Sequence, residues 1–268
     1  MCLAVLAVDA HPRYAVVLAA NRDEFHARAT EAAHWWATTR GAPILAGRDR
    51  VAGGTWLGVD QRGRYAFVTN VREPGRHDPA APSRGALVPR VLEDPRPIED
   101  AVSAAIGDSA RYNGFNLLAG EGLHAAWGSN RVDAIRELGA GVYGVSNAAL
   151  DTPWPKLVRT RAALGAWAAR GDAGIESLFA LLADRTPATP DEMPHTGVTA
   201  QWERMLSSPF IVAPQYGTRC STILLIDHAA NVHFVERSFD AHGVASGEVE
   251  YRFAAEPLDA AVSAARVP

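Results

Sequence analysis

Cys2 is the residue of this sequence whose type and position best suit it for chemistry. Removal of Met1 is favoured when the following side chain is small, and it would leave Cys2 with a free α-amine. Such an amine has a pKa of about 7.7–8.0 and can act as a base near neutral pH. A thiolate beside that base is a nucleophile that can attack a carbonyl carbon. The alternative is structural, because a cysteine within an apolar strand is usually a small buried hydrophobe.

A dense polar cluster is expected close to Cys2. Residues 2–8 and 14–19 are apolar runs separated by a polar turn that contains a proline, which predicts a hairpin of two buried strands. The cluster follows the second run, where the hairpin would end beside Cys2, and consists of Asn21, Arg22, Asp23 and Glu24. Its charged groups are candidates for holding the amine and the thiol of Cys2.

Three further residues are candidates for the same site. Asn70 and Asn147 each end a predicted strand, at 63–70 and 143–147, where amide N–H groups could stabilise an oxyanion. Turn formation is the alternative for either asparagine. Arg219 comes just before a buried apolar run and would need a partner, for which Asp23 or Glu24 is available. A catalytic positive charge and a structural ion pair are both open interpretations of Arg219.

The remaining pattern predicts the elements that must position these residues. Further strands are predicted at 35–37, 44–46, 55–59, 65–69, 115–119, 123–127, 134–138, 142–146, 223–226, 232–236 and 249–253. Helices are predicted near 85–92 and over 98–106, 155–169 and 175–182. Blocks of strands separated by pairs of helices favour an α+β layered fold over a doubly wound sheet. We interpret residues 1–268 as one domain.

Composition excludes several classes of protein. The chain has 268 residues, of which 48% are hydrophobic and 21% charged, as in a folded globular protein. Its net charge of −4 argues against nucleic-acid binding, and no apolar run approaches the roughly 20 residues of a membrane span. The opening segment lacks the basic start of a secretion signal, and two cysteines form no disulfide framework, which predicts a cytoplasmic protein.

Two cofactor classes are also disfavoured. A G-x-G-x-x-G pattern at 139–144 continues as a predicted strand instead of opening a helix, which disfavours dinucleotide binding. The nine histidines are scattered without the spacing of metal ligands, so no metal site is predicted.

Five motifs, in this order along the chain, resemble those of the NRDE family, which includes transport and Golgi organisation protein 2 and bacterial relatives. They are Met1-Cys2, NRDE at 21–24, GGTWLG at 53–58, GVSN at 144–147 with PWPK at 153–156, and YGTRCST at 216–222. The resemblance implies an N-terminal nucleophile (Ntn) hydrolase-like fold, a four-layer αββα sandwich of two antiparallel sheets between helix layers.

A more distant resemblance to bile salt hydrolases and penicillin V acylases, which also begin Met-Cys, implies roles. Cys2 would be the nucleophile and its amine the base, with Asn70 and Asn147 binding the oxyanion and orienting the amine. Those enzymes carry R-x-x-D-[FW], from which the polar cluster departs. Alignment on Phe25 selects Asn21 and Glu24, whereas residue type selects Arg22 and Asp23. Neighbours on a strand face opposite ways, so the two choices predict different sites.

Two functions are therefore expected as alternatives. The first is an N-terminal-cysteine amidohydrolase or acyl-transfer enzyme that acts on a small amide or acyl substrate and needs no cofactor. The second, implied by the family resemblance, is a non-enzymatic factor that binds or traffics haem, lipid or acyl-CoA. Under the second alternative, Cys2 and His26 are candidate haem ligands.

Overall fold

A computed structural model describes residues 2–38 and 41–256, which form thirteen β-strands and five α-helices. In chain order they are β1 (Cys2–Val8), β2 (Tyr14–Phe25), β3 (Thr30–Trp36), β4 (Ile44–Asp49), β5 (Leu57–Asp60), β6 (Tyr65–Asn70), α1 (Leu87–Leu92), α2 (Ile98–Gly107), β7 (Phe115–Glu121), β8 (His124–Ser129), β9 (Val132–Leu138), β10 (Gly141–Val145), α3 (Pro155–Ala169), α4 (Ile175–Leu182), α5 (Ala200–Leu206), β11 (Tyr216–Asp227), β12 (Asn231–Phe239) and β13 (Ala245–Ala254).

The strands form two antiparallel sheets. The first sheet has six strands in the order β10-β1-β2-β11-β12-β13, and the second has seven in the order β3-β4-β5-β6-β7-β8-β9. The second sheet follows chain order throughout, whereas the first joins the two ends of the chain, because β11 lies against β2. Residues distant in sequence are therefore brought together at the centre of the first sheet.

The two sheets pack face to face, and the apolar residues on their facing sides form the core between them. Leu6 and Leu18 of the first sheet pack with Phe67 and Leu118 of the second in the core between the sheets. The opposite face of the first sheet is covered by α3 and α4, which contribute Leu164, Trp167, Leu178 and Phe179. The outer face of the second sheet is covered by α1 and α2, which contribute Leu87, Val91, Ile98 and Val102. The predicted four-layer αββα arrangement is confirmed.

Local sequence explains where the helices begin. Pro155 occupies the first position of α3, where its missing N–H leaves no helical hydrogen bond unmade. Pro89 is the third residue of α1, so it too falls in a first turn whose N–H groups need no helical acceptor. A 3-10 turn over Arg84–Ala86 precedes α1, within the stretch predicted as a single helix.

Three predictions of secondary structure need correction. The strand predicted at 14–19 continues to Phe25, so the polar cluster lies within β2 instead of following it. The strand predicted at 223–226 begins already at Tyr216, which places Arg219 inside β11. No element was predicted over α5, a seven-residue helix whose Leu206 packs on Ile211 and Tyr216. Within the described ranges, no helix has the length and apolar character needed to cross a bilayer.

Candidate active site

Backbone pairing places Cys2 in a row of predicted site residues across the first sheet. Cys2 lies opposite Arg22 in the β1–β2 ladder, and Arg22 lies opposite Cys220 in the β2–β11 ladder. On the other side of β1, the ladder with β10 ends at the pair of Ala4 with Val145, and Asn147 follows two residues later. Cys2 and Arg22 are therefore paired although twenty residues separate them in the sequence.

Arg22 is the charged side chain on the face of β2 that looks toward the second sheet. Its backbone lies directly opposite that of Cys2 in the β1–β2 ladder. The guanidinium group donates to Thr30 Oγ1 at 3.1 Å, lies 3.6 Å from Asp49 and stacks over the Trp56 ring at 4.3 Å. These contacts hold a buried positive charge at the level of Cys2.

Asn21 has a different environment, because it faces the helix layer. Its Nδ2 donates to the carbonyl oxygens of Leu182 and Pro209, both at 2.9 Å. Its Oδ1 accepts from Ser221 Oγ at 2.6 Å. Asn21 thus joins β2 to the end of α4, to β11 and to the segment before β11. The two alignments of the polar cluster selected either Arg22 or Asn21 as the residue beside Cys2. In the structure Arg22 pairs with Cys2, whereas the Asn21 side chain faces the helix layer.

Asp23 and Glu24 complete the polar cluster at the end of β2. Asp23 is buried and its Oδ1 accepts from Thr218 Oγ1 at 2.7 Å. Burial raises the pKa of Asp23, an effect opposed by the positive charge of Lys156. Glu24 is partly exposed, and its Oε1 accepts from the N–H of Phe25 at 2.9 Å.

Asn70 and Asn147 meet although they belong to different sheets and loops. Asn147 Nδ2 donates to Asn70 Oδ1 at 3.0 Å and to the Asn70 carbonyl oxygen at 3.2 Å. Ser146 Oγ donates to Asn147 Oδ1 at 3.1 Å, so the Asn147 amide is engaged at both ends. Asn70 Nδ2 has a long contact of 3.4 Å to the Val71 carbonyl oxygen. The amide N–H groups of Asn70 can therefore still donate to a ligand, while the hydrogen bond from Asn147 fixes the orientation of the Asn70 amide.

Arg219 lies at a bulge in β11, and its side chain donates hydrogen bonds to the turn that follows β2. The pairing with β2 shifts between Thr218 and Cys220, which leaves Arg219 as the extra residue of a bulge. Its Nη1 donates to the carbonyl oxygens of Phe25, His26 and Arg28, at 3.0, 3.2 and 3.2 Å. Burial and the nearby Arg22 lower the pKa of Arg219. The contacts that hold Arg219 are thus backbone carbonyls, in place of the predicted ion pair with Asp23 or Glu24.

Cys220 is buried in the core between the sheets. It lies close to Glu236, whose Oε1 accepts from the N–H of Ala33 at 2.8 Å and whose Oε2 accepts from Thr222 at 3.3 Å. Burial raises the pKa of Glu236, which hydrogen bonds from Ala33, Cys220 and Thr222 oppose. Because Ala33 belongs to β3 and Glu236 to β12, this carboxyl group links the two sheets.

A cavity of about 480 Å³ opens beside these residues. Four predicted site residues line it, namely Arg22, Asp23, Glu24 and Asn70. Asn21, Asn147 and Arg219 are not part of its wall. The opposite wall is the loop from His77 to Gly85, which contains Pro79 and Pro82.

The described structure adds residues that sequence reasoning did not assign to the site. Arg28, Asp49, Trp56 and Arg84 also line the cavity. Burial opposes ionisation of Asp49, but the hydrogen bond from Arg28 at 2.6 Å and those from the N–H groups of the following turn lower its pKa. The motif at 53–58 was the available signal for Trp56, whereas nothing local marks Arg28, Asp49 or Arg84.

Gly54 allows a close backbone contact between two walls of the cavity. A Cβ atom on Gly54 would lie 2.4 Å from the carbonyl carbon and oxygen of Gly85. The N–H of Thr55 donates to that same oxygen at 3.1 Å. The absence of a side chain at Gly54 therefore allows the Gly85 turn to form the wall opposite Arg22.

Comparison with known proteins defines the class. The family model for Transport and Golgi organisation 2 matches residues 1–241. The fold resembles that of an N-acylethanolamine-hydrolyzing acid amidase ortholog from Caenorhabditis elegans, with a TM-score of 0.51, 11% identity and coverage of 84% of this chain and 92% of that chain. A mutant conjugated bile acid hydrolase from Clostridium perfringens gives a TM-score of 0.51 at 8% identity, with coverage of 97% and 99%. These solved structures confirm an Ntn-hydrolase-like fold.

Curated relatives identify the family. A Transport and Golgi organization protein 2 homolog from Bos taurus is 35% identical over 266 residues, covering 89% of this chain and 93% of the relative. The homolog from Homo sapiens is 36% identical with the same coverage, and the Drosophila melanogaster protein is 28% identical, covering 91% and 95%. The chain belongs to the Transport and Golgi organisation 2 (NRDE) family, as the motifs predicted.

Proposed function

We propose that this protein is an amidohydrolase whose nucleophile is the N-terminal Cys2 left after removal of Met1. The observation that carries the proposal is the pairing of Cys2 with Arg22 in the β1–β2 ladder, with Arg22 and Asn70 in the wall of one cavity. The names of the two solved neighbours, an acid amidase and a conjugated bile acid hydrolase, support the reaction class.

The reaction uses only groups of the chain itself. The α-amine of Cys2 takes the thiol proton, and the sulfur attacks the carbonyl carbon of the substrate to form a tetrahedral oxyanion. Collapse breaks the C–N bond, the ammonium returns its proton to the leaving nitrogen, and a thioester remains. The amine then takes a proton from water, whose oxygen attacks the thioester. The C–S bond breaks, which releases a carboxylic acid and restores the thiol.

Each neighbouring residue has a distinct part in this proposal. Arg22 pairs with Cys2 in the β1–β2 ladder and favours the thiolate by its positive charge. Asn70 donates its amide N–H to the oxyanion, because its carbonyl side is already held by Asn147. Asp23 and Glu24 supply the negative charge that the protonated α-amine needs during the reaction. Asn21 and Arg219 support the site by holding the backbone around β2.

The contacts of the described residues do not favour the haem-binding alternative. His26, the candidate axial ligand, places Nε2 3.0 Å from the Ala213 carbonyl oxygen, so this nitrogen is already in a hydrogen bond. The candidate cavity is lined by charged side chains of both signs, including Arg22, Asp23 and Asp49. Ligand pockets for apolar molecules are instead lined mainly by hydrophobic side chains. Neither His26 nor the wall of this cavity therefore fits haem.

The proposal is tested by the mass and the reactivity of the purified protein. We expect an intact mass without Met1 and one covalent adduct at Cys2 after treatment with a thiol-directed acyl electrophile. A Cys220→Ser variant is the matched control and should be labelled like the parent, because Cys220 is buried and internal. A Cys2→Ala variant should not be labelled. Retention of Met1 together with an unlabelled Cys2 would refute the proposal.

A further inference from the structure

Asn116 of β7 joins the two segments that carry Asn70 and Asn147. A single atom makes the connection, because Asn116 Nδ2 donates to Thr69 Oγ1 at 3.1 Å and to the Ala148 carbonyl oxygen at 2.8 Å. Thr69 precedes Asn70 in β6, and Ala148 follows Asn147 in the turn after β10. Asn116 therefore bridges the two sheets where the candidate oxyanion residues meet.

The partners of Asn116 fix the orientation of its amide group. The Ala148 carbonyl oxygen can only accept a hydrogen bond, so the amide atom that faces it is the donor Nδ2. Asn116 and Thr69 lie directly opposite each other in the β6–β7 ladder, which holds their side chains at contact distance. Asn116 is also buried, so water does not compete for these bonds.

The other end of the Asn116 amide is not explained by stability. Asn116 Oδ1 is buried and has no hydrogen-bond partner among the residues that the structure describes. A buried acceptor without a donor is destabilising. What the amide provides at this position is therefore the pair of directed hydrogen bonds from Nδ2.

The orientation of Asn70 depends on the turn that Asn116 holds. Asn147 Nδ2 donates to Asn70 Oδ1 at 3.0 Å, which leaves the Asn70 N–H groups for the oxyanion of the proposed reaction. Two successive carbonyl groups fix Asn147 in turn, since its own oxygen accepts from the N–H of Arg72 at 2.7 Å and that of Ala148 accepts from Asn116. Oxyanion donors accelerate a reaction only when they are held in place beforehand.

We infer that Asn116 is a positioning residue for the oxyanion site and acts on Asn70 through Ala148 and Asn147. This inference rests on the proposed amidohydrolase function and adds to it a residue that does not line the cavity. Loss of Asn116 should therefore slow a reaction of Cys2 that passes through an oxyanion. It should spare a reaction of the same sulfur that does not.

Two reagents that react with the same sulfur separate these cases. With p-nitrophenyl acetate, the Cys2 sulfur attacks the ester carbonyl carbon and forms a tetrahedral oxyanion, whose collapse breaks the C–O bond, expels nitrophenolate and leaves a thioester. With iodoacetamide, the sulfur displaces iodide from a saturated carbon and no oxyanion arises. Both rates are measured at Cys2 by peptide mass spectrometry, so their ratio reports the oxyanion site separately from the thiolate.

Asn116→Ala should lower the acylation rate at least about tenfold and change the alkylation rate by less than about twofold, since loss of a complete oxyanion donor costs about 10²–10³-fold and misplacement costs part of it. Ser129→Ala is the matched control. Ser129 is buried directly opposite Asn116 in the β7–β8 ladder, but its hydrogen bonds among the described residues involve Phe115 and Arg131. Both of its rates should equal those of the parent.

Two results for Asn116→Ala would overturn the inference. Acylation within about twofold of the parent rate would show that Asn70 does not need Asn116. An equal fall in both rates would place the effect on the thiolate or on the fold. If urea unfolding shows that Asn116→Ala does not fold, Asn116→Ser replaces it, because serine keeps a donor but is too short to reach both acceptors. Its acylation should fall selectively by at least about threefold, and an unchanged ratio would refute the role of Asn116.

A double variant tests whether Asn116 acts through Asn70. In the Asn70→Ala protein, which lacks the donor, adding Asn116→Ala should slow acylation by less than about twofold further, because both residues serve one interaction. A further tenfold loss would refute an action through Asn70. Parent protein whose Cys2 reacts with neither reagent would refute the hydrolase itself, whereas a reactive Cys2 with an unchanged ratio in Asn116→Ala would refute the role of Asn116 alone.

Discussion

Replacement of Gly54 by alanine should detach the turn that forms one wall of the candidate active site. The new Cβ would lie 2.4 Å from the backbone of Gly85, where ordinary contact begins at 3.4 Å, so the two segments must separate by about 1.0 Å (3.4 − 2.4). Both partners are backbone, and no side-chain rotation can relieve the contact. The hydrogen bond from Thr55 to Gly85, now 3.1 Å, would be lost at that separation.

Three contributions determine the expected change in the free energy of unfolding of Gly54→Ala. Overpacking costs about 1–3 kcal/mol and a lost hydrogen bond about 0.5–1.5 kcal/mol, while alanine gains about 0.4–1 kcal/mol by restricting the unfolded chain. We therefore expect Gly54→Ala to lower the free energy of unfolding by about 0.5–4 kcal/mol. We also expect slower acyl labelling of Cys2, because Thr55 and Gly85 line the cavity.

Urea unfolding of Gly54→Ala beside Gly247→Ala provides the assay. Gly247 lies in the exposed strand β13, and a Cβ there would meet no atom within 4 Å. Its replacement should change stability by less than about 0.5 kcal/mol. If Gly54→Ala proved as harmless as Gly247→Ala, the close contact with Gly85 would not be what holds this wall.

Three further predictions concern the core around the site. Asn21→Ala should lower the free energy of unfolding by about 2–4 kcal/mol in urea titrations, because Leu182, Pro209 and Ser221 lose buried hydrogen-bond partners. The surface variant Asn231→Ala is the control and should lower it by less than about 1 kcal/mol. A smaller loss for Asn21→Ala than for Asn231→Ala would contradict the structural role of Asn21. Burial raises the pKa of Glu236 above its ordinary 4.5, so the folded protein keeps a proton that the unfolded chain releases, and stability should fall as the pH rises above 4.5. Glu236→Gln should reduce this pH dependence in unfolding measured between pH 5 and 8, and equal slopes for variant and parent would refute it. If residues 1–268 form one domain, circular dichroism and tryptophan fluorescence should report a single coincident unfolding transition, whereas two separate transitions would contradict this interpretation.

The helices show how far local sequence determines the fold. The bounds of α3 and α4 were predicted correctly, because a proline at the first position marks the start of α3 and apolar residues at helical spacing mark α4. The helix α5 was not predicted. It has only seven residues, and tertiary contacts hold it in place, among them the buried pair of Glu203 with Arg72.

The polar end of β2 shows what local sequence cannot supply. The continuous run of apolar residues ends at Ala20, so hydrophobicity alone gave no reason to extend the strand through Arg22 and Asp23. The strand continues because residues of other strands accommodate these charges, with Asp49 and Trp56 around Arg22 and Thr218 against Asp23. Register then decides which residue meets Cys2, since a shift of one position would exchange Arg22 for Asn21.

The sequence indicated Asn70 and Asn147 as candidates for one site, but only the resemblance to bile salt hydrolases and penicillin V acylases gave the pair joint roles. Each asparagine ends or follows a strand of a different sheet, and packing of the sheets brings the two amides to 3.0 Å. The burial of Arg72 had no signal in the sequence. It depends on Glu203 and Trp154, which are more than eighty residues away along the chain.

The most direct test of the central claim is the rate of acyl labelling of Cys2 with and without a free α-amine on that residue. A lysine inserted between Met1 and Cys2 prevents methionine removal and leaves the thiol in place without its adjacent amine. Since a positioned base contributes about 10²–10⁴-fold, we predict that the inserted protein is labelled at least about 100-fold more slowly than the native one. Equal labelling rates for the two proteins would contradict the proposed mechanism.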